Sequence, residues 1–327
     1  MYVTLSTSIP NAAIAANSML RHTKSRWSPA RQAIAAFNQM VSVAPIGKKT
    51  YKYKQSGSEF LPTLSARIII SGPSSSGKGV LCANLLLNPK LYRGCFDKIY
   101  YASGSSKLDH NLKPIKKYCE QQLGMEEGEC MLDGWDEPRI KEIMRQAKED
   151  TLKAKKEGKQ YLPGVCIICD DLADDKSAVK GNTLLNSMFL RGRHMGLSCI
   201  LMTQRYRLVD VSTRVNANAL FVFRMRNHKD LEAVIEENSA LLNRKQLLEV
   251  YEHCTVDKFS FLYINLNESN PQNAFYRCFD AKLSIEPDPK SNGTGATSNS
   301  SDMPGVPGEA EGRQHAKGDQ APKGGRA

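Results

Sequence analysis

The stretch that decides the fold is Gly72-Pro73-Ser74-Ser75-Ser76-Gly77-Lys78-Gly79, which lies between the apolar run Ile68-Ile69-Ile70 and a second apolar run that begins at Val80. Its spacing is G-x-x-x-x-G-K between a strand pattern and a helix pattern. In such a loop, glycines let backbone N–H groups turn inward around phosphate oxygens, and the helix start adds a partial positive charge. We therefore predict that residues 72–80 bind the phosphates of ATP, with Lys78 reaching the β- and γ-phosphates; a chance strand–turn–helix is the alternative.

One position departs from this pattern. The residue after the lysine is usually Ser or Thr, whose hydroxyl ligates Mg²⁺, but here it is Gly79. Three outcomes are open: a water takes the place of the hydroxyl, Ser75 or Ser76 supplies one, or nucleotide is bound and turned over slowly.

The charge balance favours a polyanionic partner. The chain has 327 residues and a formal net charge of +11. A basic excess suits nucleic acid because neutralised phosphates release counterions. No run of eighteen apolar residues is present, so we expect no membrane span.

The two ends differ in composition from the centre. Residues 1–60 contain no acidic residue before Glu59 and are rich in Lys and Arg, which fits either a flexible basic arm that grips DNA or an organelle transit peptide. Residues 286–327 are rich in Gly, Pro, Ser and Asn, so we predict a disordered tail. The predicted folded domain covers residues 64–283.

Within that domain, strand-like and helix-like segments alternate. The predicted strands are 66–70, 98–102, 165–169, 198–203, 219–225, 259–266 and 274–279, and the predicted helices are 80–87, 138–159, 184–195 and 229–237. Short apolar runs separated by helices indicate an α/β fold, with a central, mostly parallel sheet flanked by helices. The last two strands are close in sequence and are predicted to form an antiparallel hairpin.

Two acids follow the buried run 165–169, and these are Asp170 and Asp171. A solvated turn is the alternative, but a strand that ends in two carboxylates is typical of a nucleotide site. We predict that Asp170 holds Mg²⁺ and that Asp171 orients or deprotonates the attacking water.

The next strand contributes further candidates. It ends in Gln204, which can contact both a γ-phosphate and the water. Arg191 and Arg193 precede it and are candidate arginine fingers, acting on phosphate across a subunit interface; a basic helix end is the equal alternative.

The nine cysteines suggest a reducing compartment. Cys166 and Cys169 have C-x-x-C spacing, but residues three apart on a strand point to opposite faces. We therefore interpret both as buried apolar side chains rather than metal ligands.

Together these motifs resemble the FtsK–HerA class of DNA-pumping ATPases, and within it the viral genome-packaging ATPases of poxviruses, other large nucleocytoplasmic DNA viruses, virophages and polinton-like elements. The resemblance covers about residues 66–280 and depends on the loop 72–79, Asp170-Asp171, the segment 191–194 and Met202-Thr203-Gln204. It implies a P-loop NTPase fold of the ASCE type, in which the strand that ends at Gln204 lies between the loop strand and the Asp170 strand.

The resemblance also implies a function. It implies an ATPase that uses ATP and Mg²⁺, forms a homo-oligomeric ring, threads double-stranded DNA and works with capsid proteins. The location implied is intracellular, in host cytoplasm or nucleus. Basic residues in loops after core strands are candidate pore contacts, with ordinary surface charge as the slightly favoured alternative for each: Lys176, Lys180, Arg205 and Arg207. A nucleotide-binding scaffold without turnover and a P-loop kinase are the rival interpretations.

Overall fold

The computed structural model describes residues 51–104, 112–170, 182–268, 270, 273–279 and 281–283. Several predictions fall outside these residues: the roles of Asp171, Lys176 and Lys180, most of the N-terminal segment, and the tail 286–327.

The described chain alternates strands and helices, as the sequence predicts. The strands are β1 Arg67–Ser71, β2 Lys98–Ser103, β3 Met131–Asp133, β4 Val165–Asp170, β5 Leu197–Thr203, β6 Ala219–Phe223, β7 Phe261–Asn265, β8 Phe275–Arg277 and β9 Ala281–Lys282. The helices are α1 Lys78–Leu87, α2 Lys113–Gln122, α3 Glu137–Lys156, α4 Thr183–Arg191, α5 Val211–Arg214, α6 His228–Glu237 and α7 Arg244–Cys254. Two 3₁₀ turns cover Gly192–Met195 and Tyr206–Leu208.

All nine strands form one sheet in the order β3-β2-β4-β5-β1-β6-β7-β8-β9. The pairs from β3 to β6 are parallel, whereas β6, β7, β8 and β9 pair antiparallel. This confirms the predicted α/β fold with a mostly parallel sheet. It also confirms the predicted order, in which β5 lies between the loop strand β1 and the Asp170 strand β4.

The core is centred on strands that are buried along most or all of their length. Strands β5 and β6 are buried at every position, as expected for strands covered on both faces. Cys166 and Cys169 are fully buried in β4, as the strand pattern predicts. Aromatic rings fill the antiparallel half, where Phe221 stacks on Tyr263 with ring centroids 4.4 Å apart.

Four helices begin where an acid or amide side chain caps them. Asp136 accepts a hydrogen bond from the Arg139 N–H at the start of α3, and asparagines cap α4, α6 and α7. The predicted charged helix 138–159 is therefore α3, whose buried face includes Ile140, Ile143 and Ala147.

The structure adds elements and moves boundaries. Helices α2 and α7 and strand β3 carry few buried residues and were not predicted. The predicted helix 184–195 ends at Arg191 and continues as a 3₁₀ turn up to Gly196, which has a φ of 71°. The predicted strands 219–225 and 259–266 are shorter, ending at Phe223 and starting at Phe261.

Residues just before the predicted start of the domain also pack on it. The Tyr263 hydroxyl donates to the Phe60 carbonyl at 2.6 Å, and the Tyr92 hydroxyl donates to the Pro62 carbonyl at 2.7 Å. Leu61 is buried. Residues 51–63 therefore pack against the domain, a contact that composition alone does not predict. Among the residues described, no helix has the length and apolar content needed to cross a bilayer.

Candidate functional site

The predicted phosphate-binding loop lies between β1 and α1, where the sequence pattern places it. Gly77 precedes the helix with a φ of 104°, a left-handed conformation that favours glycine. Its carbonyl accepts the first helical hydrogen bond, from the Leu81 N–H at 2.9 Å. The loop therefore turns directly into a helix N-terminus, where unpaired N–H groups favour anions.

Gly72 is the second glycine that the geometry requires. A Cβ at this position would lie 2.7 Å from Phe223 Cβ and 2.8 Å from Ser76 Oγ. The loop backbone thus passes directly over β6, with no space for a side chain. The Ser76 hydroxyl is buried there and has no hydrogen-bond partner in the described part of the chain.

The Lys78 side chain is buried and held by the loop itself. Its Nζ donates to the carbonyl oxygens of Gly72 and Pro73, each at 2.9 Å. These bonds fix the Lys78 ammonium group inside the loop, at the position where the lysine of this motif contacts phosphate oxygens.

Positions 79 and 80 lie in the exposed first turn of α1. A Cβ added at Gly79 would meet no atom within 4 Å, so this glycine is not required by packing. Val80 is 60% exposed. Ser74 and Ser75 are also exposed, and Ser75 has a φ of 60°.

Asp170 ends β4, two strands away from the loop strand. The buried Tyr101 hydroxyl donates to Asp170 Oδ2 at 2.8 Å, and this contact fixes one carboxylate oxygen. Burial, with smaller contributions from Cys166 and Asp170, raises the pKa of the Cys82 thiol well above its ordinary value. Asp170 is thus close enough to Cys82 of α1 for its charge to act on that thiol. Asp171 lies outside the described residues.

Gln204 follows β5 between these two groups. Ser71 pairs with Thr203 and Asp170 pairs with Met202, so Gln204 lies one residue beyond the first pair and two residues beyond the second. The Gly72 N–H donates to the Thr203 carbonyl at 3.1 Å, which ties the loop to the residue before Gln204. The sheet therefore brings Lys78, Gln204 and Asp170 to one edge.

Arg191 and Arg193 lie at the opposite edge of the sheet, where the parallel strands begin. They precede β5, whereas Gln204 follows it, and seven residues at about 3.3 Å each separate the two edges by roughly 20 Å. Both arginines are exposed. Burial, and then the charge of Arg193, lowers the pKa of Arg67, which begins β1 at that same edge. Neither arginine can therefore reach the loop of its own chain.

The two described candidates for pore contacts differ. Arg205 pairs through Nε with the buried Asp230 carboxylate at 3.2 Å, and the Arg207 N–H donates to the same carboxylate at 2.9 Å. Both side chains are exposed, but only that of Arg205 pairs with this carboxylate.

Sequence reasoning missed three sets of residues at the sheet edge that carries the loop. Tyr101 was assigned only to a strand. Arg224 and Arg226 follow β6, and Phe259 lies in the turn before β7, yet the predicted strands 219–225 and 259–266 had absorbed Arg224 and Phe259. The sequence signal that could have identified Arg224 and Arg226 was strand β6. Because β6 is parallel to β1 and next to it, polar residues that follow β6 lie beside the loop that follows β1.

These features define the class: the fold is that of a P-loop NTPase of the ASCE type, with the Gln204 strand inserted between the loop strand and the Asp170 strand. Residues 138–285 match the family model described as Poxvirus A32 protein. This match confirms the resemblance to the poxvirus branch and includes Asp170, Arg191, Arg193 and Gln204, but not the loop 72–79.

Similar proteins come from several sources. A protein of Invertebrate iridescent virus 6 described as uncharacterized protein 075L is 23% identical over 147 residues, which are 44% of this chain and 53% of that protein. The match thus spans about half the length of that curated relative.

Three solved structures are similar to part of the chain. The genome packaging NTPase B204 from Sulfolobus turreted icosahedral virus 2, in complex with AMPPCP, is 18% identical with a TM-score of 0.41, over 62% of this chain and 93% of that one. The pCW3 conjugation coupling protein TcpA with ATPγS is 17% identical with a TM-score of 0.42, over 62% of this chain and 58% of that one. EssC (ATPases 2 and 3) from Geobacillus thermodenitrificans is 14% identical with a TM-score of 0.41, over 58% of this chain and 42% of that one.

Proposed function

We propose that this protein is an ATP-dependent motor that moves double-stranded DNA into a viral capsid. The observation that carries the proposal is the strand order β4-β5-β1, which places Asp170, Gln204 and the Lys78 loop side by side at one sheet edge.

The residues present fit a nucleotide with Mg²⁺. The loop excludes a side chain at Gly72, turns through left-handed Gly77 and holds an ammonium group, so it can enclose phosphate oxygens. Asp170 supplies a carboxylate oxygen that Tyr101 orients. When bound, Mg²⁺ neutralises negative charge on the β- and γ-phosphates.

Each residue at the edge then has one task. Lys78 exchanges its loop carbonyls for phosphate oxygens, and the unpaired backbone N–H groups of the loop and of the first turn of α1 bind the remaining oxygens. Asp170 holds the metal and its waters. Asp171 orients or accepts a proton from the attacking water, and Gln204 contacts the water and the γ-phosphate.

The far-edge arginines require a second copy of the chain. Because Arg191 and Arg193 lie roughly 20 Å from the loop of their own chain, they act on the nucleotide of a neighbour in a homo-oligomeric ring. The ring encloses DNA, which it contacts through phosphates because a packaging motor must ignore base sequence. Capsid proteins are the proposed docking partners, and the host cytoplasm or nucleus is the proposed place of action.

A nucleotide-binding scaffold without turnover is the second candidate. It is favoured by Gly79, which leaves the metal without the usual hydroxyl. A P-loop kinase is a third alternative, and phosphate transfer to a small acceptor without any DNA stimulation would identify it.

Displacement of a third strand from a DNA triplex tests the motor directly. We expect the protein with ATP and Mg²⁺ to displace the strand, and the Lys78→Ala variant to leave it bound. If ATP binds but the native chain displaces nothing, the scaffold interpretation is favoured over the motor.

A further inference from the structure

A cavity opens directly beside the phosphate loop. It has a volume of about 440 Å³ and is lined by loop residues 73–76, by residues 223–226 at the end of β6 and just beyond it, and by the turn 255–260 before β7. The residues assigned so far to phosphate, metal and water lie on the other side of the loop, toward β5 and β4. A nucleotide that has its phosphates in the loop extends beyond them, and this cavity adjoins the loop.

Phe259 is the residue in this cavity that packing does not explain. Its φ is 68°, an unusual conformation for a bulky side chain, and the residue is 56% exposed. It takes part in no ring–ring contact with the described aromatic residues, although Phe223 and Phe261 nearby do. Strained backbone that presents an apolar side chain to solvent is common at ligand sites.

The ring is held against the loop. A Cβ at Gly77 would lie 3.4 Å from Phe259 Cδ1, so the ring lies in contact distance of the residue just before Lys78. Lys258 Nζ lies 4.9 Å from the ring centroid, so one face of the ring already attracts a cationic partner. Lys258 is itself exposed, so a ligand can displace it.

The rim of the cavity is cationic. Arg224 and Arg226 are exposed and form no ion pair with another residue that the structure describes. Asp257 is paired with Arg277, so its charge is already compensated. An open aromatic ring beside free guanidinium groups and a phosphate loop suits a ligand with a flat ring at one end and phosphates at the other.

We propose that this cavity binds the nucleoside end of the nucleotide, with the base stacked on Phe259, an inference that rests on nucleotide binding by the neighbouring loop. Stacking accepts any base because every base has a π-face. Phe259 therefore contributes affinity for the nucleoside, whereas Lys78 contributes affinity for the phosphates.

Binding of ATP and of inorganic tripolyphosphate, measured by titration calorimetry on the full chain, separates these contributions. The variant Phe259→Gly removes the ring and suits the left-handed backbone, so the fold is retained. We expect it to weaken ATP binding by about tenfold or more while leaving tripolyphosphate binding unchanged. Phe259→Tyr keeps the ring and should bind ATP like the native chain, and Lys78→Ala should weaken both ligands. Val211→Ala removes a similarly exposed apolar side chain elsewhere and should change neither.

The outcomes distinguish failure of the stacking site from failure of nucleotide binding by the loop. Equal ATP affinity for Phe259→Gly and the native chain, with Lys78→Ala impaired, overturns the stacking site but leaves the phosphate loop intact. Equal loss of ATP and tripolyphosphate in Phe259→Gly also overturns it, because the ring would then act only on loop structure. If the native chain binds neither ligand, nucleotide binding and the stacking site both fail.

Discussion

Two glycines of the phosphate loop have opposite structural constraints. Gly72 has no room for a Cβ, since Phe223 and Ser76 lie within 3 Å of it, whereas the space around Gly79 is open. Glycine at position 72 is thus dictated by packing, and glycine at position 79 is not. A serine at position 79 would therefore fit the structure and would restore the hydroxyl that the motif usually carries.

The variant Gly79→Ser tests that conclusion. We expect it to fold normally and to gain about 0.5 kcal/mol from helix propensity, which raises Tm by about 1–2 °C. It should also lower the Mg²⁺ concentration needed for half-maximal ATP hydrolysis, because the hydroxyl replaces a water as ligand.

Gly79→Ala is the matched control, since it adds the same Cβ without a hydroxyl. The alanine variant should gain stability without any change in its Mg²⁺ requirement. An equal Mg²⁺ response in both variants would show that the hydroxyl does not reach the metal.

We propose that Tyr101 acts by positioning Asp170. Its hydroxyl donates to Asp170 Oδ2, and the residue is almost fully buried. Tyr101→Phe should weaken Mg²⁺ binding or hydrolysis by about 10–100-fold, as is typical when a partner of a metal ligand is lost.

Tyr100→Phe is the control for this change. Tyr100 is the adjacent buried tyrosine, but its hydroxyl donates to Glu129 at 3.0 Å, away from the site. Mg²⁺ titration of hydrolysis separates the two variants, and equal losses would contradict a positioning role for Tyr101.

At the scale of elements, β5 separates the two halves of the proposed catalytic machinery. Gln204 follows this strand and the arginines precede it, so one chain cannot complete the site. Helix α4 and the 3₁₀ turn after it thereby hold Arg191 and Arg193 on the surface, where a neighbouring subunit could contact them.

Mixing two inactive variants tests this arrangement. We expect Arg191→Ala/Arg193→Ala to reduce ATP hydrolysis by about a thousandfold or more, as for other arginine fingers. Its thermal stability should not fall, because Arg193 adds a like charge near Arg67. A mixture with Lys78→Ala should regain activity, since some interfaces then combine an intact loop with intact arginines.

A mixture that stays inactive would contradict action across an interface. It would favour the simpler interpretation, in which the arginines only complement the C-terminus of α4.

The elements also show what could be predicted from the sequence. Long apolar runs such as β4 and β5 and the glycine loop were identified, because a buried parallel strand and a phosphate loop each have a strong local pattern. Strand β3 has only three residues and depends on pairing with β2, so no local signal marks it.

The site was predictable only in part, for a related reason. Strand-tip residues could be identified only where the strand end was placed correctly. Asp170 met that condition, whereas Phe259 was hidden inside an overlong strand and Tyr101 meets Asp170 only through the pairing of β2 with β4.

At the scale of the whole molecule, eight of the nine cysteines are buried, and Cys278 is partly exposed. Burial is the main cause that raises the pKa of Cys254 from 9.0 to about 12, and Cys278 adds to it. Because the folded pKa is the higher one, the stabilising effect is complete below pH 9 and is lost as pH rises toward 12.

We therefore expect the free energy of unfolding to fall above pH 9, by about 1.4 kcal/mol per pH unit from Cys254 alone. Urea denaturation at several pH values measures the slope. Cys254→Ala should reduce that slope, and an unchanged slope would indicate that this thiol ionises equally in both states.

The arrangement of the whole domain gives the central claim. One sheet edge carries the loop, Gln204 and Asp170, the other carries two exposed arginines, and the chain has a net charge of +11. This is the layout expected of a subunit that completes its neighbour's site and binds a polyanion.

Phosphate release from ATP, with and without double-stranded DNA, tests this claim most directly. We predict that the native chain releases phosphate, that DNA increases the rate, that the increase shrinks with salt, and that Lys78→Ala abolishes release. Release that is absent from the native chain, or that persists in Lys78→Ala, or that is indifferent to DNA, would contradict the account.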